Sequence, residues 1–131
     1  MKELTKLEKE EKRKQQIKDI MDKTQELRDL ILDSVDYKRY RRQLEELKQS
    51  EDLYRKMNEY RLKALRIQLM EDSEKTYEKT QELYTEYSDI LNEHLVSQFM
   101  ITEQTICKTM RNVQNQVFEG IDLDISYMNL T

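Results

Sequence analysis

The near absence of helix-breaking residues limits what this chain can fold into. Its 131 residues include no proline and one glycine, Gly120, the two residue types that most strongly disfavour a helix interior. Charged residues make up 38% of the chain and hydrophobic ones 37%, with many Glu, Lys, Leu, Gln and Arg, a composition typical of long helices joined by short turns. We predict an all-α fold, an elongated antiparallel helical bundle or hairpin with long amphipathic helices.

The strongest helical pattern lies between residues 96 and 121. Its apolar row recurs at steps of three and four, the spacing of one buried helix face. The row and the residues that widen it are Phe99, Met100, Glu103, Ile106, Cys107, Met110, Val113, Val117 and Phe118. Gly120 is expected to end this helix in a left-handed conformation.

Turn signals divide the rest of the chain. Ser34 and Asp36 indicate a kink, Ser50 resembles a helix cap followed by two acids, and the polar cluster at 71–74 predicts the main reversal. A helix over 51–70 is therefore expected to pack on helices over 75–95 and 97–120, with a kink or a second helix start at Ser97. The alternating tail after Gly120 should either pack in a helical groove or fray.

The N-terminal segment differs from the remainder. Residues 8–16 are all polar, so we interpret residues 1–21 as a charged helical N-terminal extension of the domain formed by 22–131. Asp22 and Gln25 resemble a capping box, although one helix could equally run through from the first segment.

Charge is unevenly distributed along the chain. Residues 37–66 contain ten basic and five acidic groups, whereas 71–103 contain two and nine. Opposite signs predict attraction if these segments fold back on one another. The alternative is a basic patch for RNA, because aromatic residues are interleaved with the cations. Its residues are Lys38, Arg39, Arg41 and Arg42.

Catalytic and metal chemistry find little support in the residues. The chain has one histidine, His94, and one cysteine, Cys107, separated by a predicted break, and one glycine cannot form a glycine-rich phosphate loop. We predict no enzyme, no cofactor, no metal and no small-molecule substrate. The absence of an apolar run of about 18 residues and of a signal peptide predicts no membrane and a cytoplasmic location.

Glu103 is the unusual member of the apolar row. An unpaired charge within an apolar row is costly. Glu103 should therefore either pair with a cation, with Arg61 and Arg66 as candidates, or be exposed to solvent at the edge of the row. We expect Glu103→Leu to change the oligomeric state or partner choice. The predicted interaction surface comprises Phe99, Met100, Glu103, Ile106, Met110, Val113 and Val117.

The region from about Asp22 to Ile125 resembles the YlbF/YmcA family of small bacterial regulators. The segment DYKRYRRQLEELKQSEDLYRKMNEYRLKALRIQ is similar to the family's Tyr-Lys-x-Phe followed by a capped helix. The segment LNEHLVSQFMITEQTICKTMRNVQNQVFEGIDLDI is similar to its Leu-x-x-x-Pro-x-Val-x-x-Tyr-Leu-x-Ala-Glu pattern and the apolar helix ending in Ile. The positions that match this second pattern are Leu95, Val96, Phe99, Met100, Glu103, Ile106, Met110, Val113, Val117 and Ile121.

Two departures accompany the resemblance. The family's proline is missing, and Thr102 stands in place of the alanine before the glutamate. Some members carry extra cysteines associated with iron–sulfur clusters, a property that does not extend to a chain with Cys107 alone.

The resemblance implies a cytoplasmic, non-enzymatic regulator of competence, biofilm formation and sporulation. Its implied partners are further copies of itself, paralogous helical proteins, and machinery for RNA processing by an endoribonuclease. Taken with the residues, it favours a regulatory adaptor that acts through helix–helix contacts. An RNA-processing accessory that contacts RNA or an endoribonuclease through the basic helix and a coiled-coil structural protein are the alternatives.

Overall fold

The protein, as a computed structural model, is described over residues 5–129. Residues 1–4 of the predicted extension and 130–131 of the predicted domain lie outside this range. The described residues contain no strand, so the predicted all-α class is confirmed. Their α-helices are α1 (Lys6–Leu32), α2 (Val35–Gln49), α3 (Glu51–Gln68), α4 (Ser73–Glu86), α5 (Ser88–Leu91) and α6 (His94–Phe118), followed by a 3₁₀ turn at Ser126–Asn129. Two compact units divide the chain between Lys38 and Arg39, within α2.

The first unit is formed mainly by α1, one uninterrupted helix. Thr5 and Glu8 form a capping box, in which the Glu8 amide donates to Thr5 Oγ1 at 3.2 Å. The helix continues past residue 22, so Asp22 does not begin a new one. No residue of α1 is buried. This helix is therefore held by its backbone hydrogen bonds and by exposed pairs such as Lys18–Asp22.

The predicted break near Ser34 is confirmed. The Ser34 hydroxyl donates to the Ile31 carbonyl at 2.7 Å and accepts a hydrogen bond from the Tyr37 amide at 3.2 Å. One side chain thus satisfies a carbonyl at the end of α1 and an amide at the start of α2.

In the second unit, α3 and α4 form the predicted hairpin. Asp72 caps α4, because its Oδ1 accepts hydrogen bonds from the amides of Glu74 at 3.0 Å and Lys75 at 3.2 Å. The helix α3 begins at Glu51 as predicted, but the expected cap from the Ser50 hydroxyl is absent. Only Ser50 separates α2 from α3, and its amide bonds back to the Leu47 carbonyl at 2.9 Å.

The prediction of one continuous helix over 75–95 is wrong. Tyr87 (φ −104°, ψ 16°) separates α4 from α5, although hydrogen bonds from Tyr87 to Leu83 and from Leu91 to Tyr87 continue on either side. Tyr87 is buried, and its ring lies 5.7 Å from the Tyr60 ring, centroid to centroid. The helix α6 begins at His94 rather than at Ser97, and it ends before Gly120, whose φ of +79° confirms the left-handed end.

The core of the second unit lies where α2, α3 and α6 meet. Leu47, Met57, Val96 and Phe99 are fully buried. The Tyr40 ring lies 5.2 Å from the Phe99 ring, centroid to centroid. The helix α3 also packs on α4 and α5, which confirms the prediction that it packs on the later helices.

The C-terminal tail, residues 121–128, does not pack in a groove of its own chain. Its residues are all exposed, with Leu123 at 77%. Residues 121–125 have no regular structure, and Asp124 Oδ1 caps the following turn by accepting from the Ser126 amide at 3.1 Å and hydroxyl at 2.7 Å.

We expect Met57→Ala to lower the free energy of unfolding of this core by about 2–5 kcal/mol, because it leaves a cavity at a fully buried site. Leu69→Ala is the control, since Leu69 is 75% exposed in the hairpin turn and should cost no more than about 0.5 kcal/mol. Urea denaturation followed by circular dichroism measures both. Equal costs would contradict the assignment of the core.

Candidate protein-contact site

Glu103 meets a cation from α3. Arg61 Nη2 donates to Glu103 Oε2, while Arg61 Nη1 donates to Asn58 Oδ1 at 3.1 Å. The Arg61 guanidinium carbon lies 5.6 Å from the centroid of the Phe99 ring. The Glu103 side chain retains 22% of its exposure and that of Arg61 36%, so the pair lies at the edge of the core rather than within it.

The structure selects between the two arginines that were candidates for this pairing. Arg66 follows Arg61 by five residues, which turns it by about 140° around the helix axis. It lines the groove between α3 and α4 together with Lys63 and Glu86. Arg66 was therefore the wrong candidate, and of the two alternatives for Glu103 the structure shows pairing with a cation, Arg61.

The predicted attraction between the basic and acidic segments takes the form of two ion pairs. Besides Arg61–Glu103, Lys63 Nζ lies 3.7 Å from Glu86 Oε1 and 5.0 Å from the Tyr87 ring centroid. Hydrogen bonding with Tyr87, followed by the charge of Glu86, raises the pKa of the Lys63 ammonium. These pairs join α3 to α4 and to α6.

Burial and the Glu103 charge act together on Tyr40. Loss of solvent around the Tyr40 hydroxyl, reinforced by the negative charge of Glu103, raises the pKa of this phenol above its usual value of 10.0. Tyr40 is thus held in its neutral form beside Phe99, where the two rings are in contact.

The predicted interaction surface on α6 divides into covered and exposed parts. Phe99 is fully buried by its own chain, which corrects its inclusion in a surface for partners. Met100 is half-buried against the core. Farther along, Met110 and Val117 are 45% and 48% exposed. We call the remaining row the distal stripe; it consists of Ile106, Met110, Val113 and Val117.

Sequence reasoning missed two apolar residues beside this row. Leu65 of α3 and Ile101 of α6 are 51% and 57% exposed. Both line an open groove of about 730 Å³ between the two helices, which Cys107 and Arg111 also line. Their exposure depends on the angle between α3 and α6, and the sequence carries no signal for that angle.

The candidate basic patch is partly engaged within the chain. Lys38 Nζ lies 2.8 Å from Asp33 Oδ1, and this ammonium lowers the pKa of the Asp33 carboxyl. Arg41 Nη2 lies 3.6 Å from Glu45 Oε1, one helical turn farther along α2. Arg39 and Arg42 are exposed.

The reactive side chains are not brought together. His94 and Cys107 both belong to α6, where thirteen residues separate them by about 20 Å. Within residues 5–129, no group of three or more His, Cys, Asp or Glu side chains is placed to hold a metal ion. No helix in the same range combines the length and the apolar character needed to cross a membrane.

These features define an all-α protein built around helix faces, with an ion pair at the edge of its core and a partly exposed apolar stripe. The family model described as control of competence regulator ComK, YlbF/YmcA, matches residues 20–122. The chain therefore belongs to this family of competence regulators, as the resemblance predicted. The family is a regulatory one and is not a known family of enzymes. No curated protein and no solved structure matches the chain.

The contribution of the Arg61–Glu103 pair is measurable by a double-mutant cycle with Arg61→Gln and Glu103→Gln. We expect a coupling free energy of roughly 0.5–1.5 kcal/mol, since the pair is partly shielded from solvent. The exposed pair Arg55–Glu59 is the control, with an expected coupling of at most about 0.5 kcal/mol. Urea unfolding of the four proteins in each cycle gives the values, and a smaller coupling for the α3–α6 pair would contradict this ranking.

The raised pKa of Tyr40 predicts that the free energy of unfolding falls in alkali. Its folded pKa is raised, so the unfolded chain releases the proton more readily, and stability present below pH 10 falls as pH rises beyond it. Tyr40→Phe should flatten the decline in unfolding free energy above about pH 10. Tyr77→Phe is the control, because Tyr77 is 68% exposed. Identical slopes for Tyr40→Phe and wild type would refute the effect.

Proposed function

We propose that this protein is a cytoplasmic regulatory adaptor that controls competence by helix–helix contact. Biofilm formation and sporulation are the further processes that the family resemblance implies. The adaptor binds further copies of itself or paralogous helical proteins. The single observation that carries the proposal is the distal stripe of α6, an apolar row on a helix that continues beyond the core.

The stripe supports contact with a protein because its side chains continue the apolar row of α6 to which the buried Phe99 belongs. Upstream, the row is covered by α2 and α3 of the same chain. Downstream, Met110 and Val117 retain nearly half of their exposure. A helix face that is apolar and repeats at steps of three and four fits another amphipathic segment, which anchors side chains at the same spacing.

The charge distribution favours this function over an RNA accessory. Two of the four residues in the candidate basic patch, Lys38 and Arg41, lie against acidic groups of their own chain. An RNA-binding patch gains affinity by neutralising phosphates, and cations already paired with carboxylates contribute less to it. The adaptor is thus the function that the side chains support best.

The test compares two variants that each add one negative charge to α6. Met110→Glu places it on the distal stripe, whereas Asn115→Glu places it on the opposite side of the same helix, where the native residue is also exposed. Each gene replaces the native copy in the host, and transformation frequency is measured. We expect Met110→Glu to reduce it at least tenfold and Asn115→Glu to leave it unchanged.

Folding is checked separately, because a regulatory defect could follow from instability. Circular dichroism of both purified variants should show the wild-type helix content, since both sites are exposed. Equal transformation frequencies for two folded variants would overturn the contact role of the stripe.

A further inference from the structure

Two apolar features of the second unit remain exposed in large part among the described residues. One is the distal stripe on α6, in which Met110 and Val117 are nearly half exposed and Ile106 and Val113 are half-buried. The other is the C-terminal tail, in which every apolar side chain is more than half exposed. These residues are Ile121, Leu123, Ile125, Tyr127 and Met128.

The two features carry opposite charge. Between residues 104 and 118, Lys108 and Arg111 are the charged residues, which gives this half of α6 a charge of +2. In the tail, residues 121–128, the charged residues are Asp122 and Asp124, which give it −2, and Glu119 just before it adds a third negative charge. Segments of this kind attract one another, and a second copy of either alone would be repelled.

Their dimensions also match. In an extended segment, alternate side chains share one face at intervals of about 6.6 Å. The stripe presents side chains at steps of three or four residues, about 5 Å apart. In an antiparallel arrangement Ile121, Leu123 and Ile125 would lie over Val117, Val113 and Met110 in turn. The turn that begins at Ser126 would then reach the level of Cys107.

We propose that the tail of each copy covers the distal stripe of a second copy, in a reciprocal twofold dimer. A twofold arrangement uses the same contact twice, and each copy supplies both the segment and the surface. Each of the two contacts then needs to bury only about 300–500 Å² on each side to reach the 1,200–2,000 Å² of a stable interface. The tail, with residues 121–125 irregular and a turn from Ser126, exposes five large apolar side chains that can contribute to that area.

The first test measures mass in solution by sedimentation equilibrium across a range of concentrations. Leu123→Asp removes an apolar anchor and places a third acid among those of the tail. Leu69→Asp is the matched control, because the two leucines are 77% and 75% exposed and Leu69 lies in the hairpin turn. We expect wild type and Leu69→Asp to be dimers, and Leu123→Asp to raise the dimer dissociation constant at least tenfold. A monomeric wild type, or equal behaviour of the two variants, would overturn the proposal.

The second test identifies which copy the tail contacts. Cys107 is exposed and is the one cysteine of the chain, so Ser126→Cys supplies a second thiol in the tail. Under oxidised glutathione we expect a disulfide-linked dimer in which peptide mapping finds Cys107 joined to position 126. Ser73→Cys, at the start of α4, is the control and should stay at the wild-type level of crosslinking. A disulfide within a single chain would show that the tail covers its own stripe, and would overturn the exchange.

This inference rests on the proposed contact role of the stripe, but the two fail separately. Absence of a dimer would leave contact between the stripe and another protein intact. If wild type is a dimer that Leu123→Asp weakens, but Met110→Glu has no effect on transformation, the regulatory role is rejected and the exchange of tails still stands.

Discussion

Burial of the Phe99 ring is the interaction on which the second unit depends. Tyr40 from α2 lies 5.2 Å from it, and the Arg61 guanidinium from α3 lies 5.6 Å from its centroid. The same placement of Arg61 puts its guanidinium beside Glu103, one turn farther along α6. The apolar core and the ion pair are therefore parts of one arrangement, and a carboxylate is tolerated in an apolar row because the cation that lies against the core also neutralises it.

Several features that depend on a few neighbouring residues were predictable, although the cap expected from Ser50 is absent. Ser34 ends one helix and begins another, Asp72 caps α4, and Gly120 takes the left-handed conformation. Each follows from hydrogen bonds or backbone sterics within four residues. The break at Tyr87 was not predictable, because the helical spacing of apolar residues continues across it.

The candidate site shows the limit of periodicity. A repeat of three and four residues identifies the side of α6 that is apolar, but it does not show what covers that side. Coverage depends on how α2 and α3 pack: they cover Phe99 and leave much of Met110 exposed. The choice between Arg61 and Arg66 depends in the same way on the rotation of α3 about its axis.

The hairpin of α3 and α4 has a consequence for the order of folding. Its contacts join residues that are near one another along the chain, on either side of a short turn capped by Asp72. The contact between Tyr40 and Phe99 instead closes a loop of 59 residues. Loop closure costs more entropy as the loop grows, so local contacts form faster than distant ones. The hairpin is thus the natural first structure in this unit, and α6 completes the core by docking onto it later.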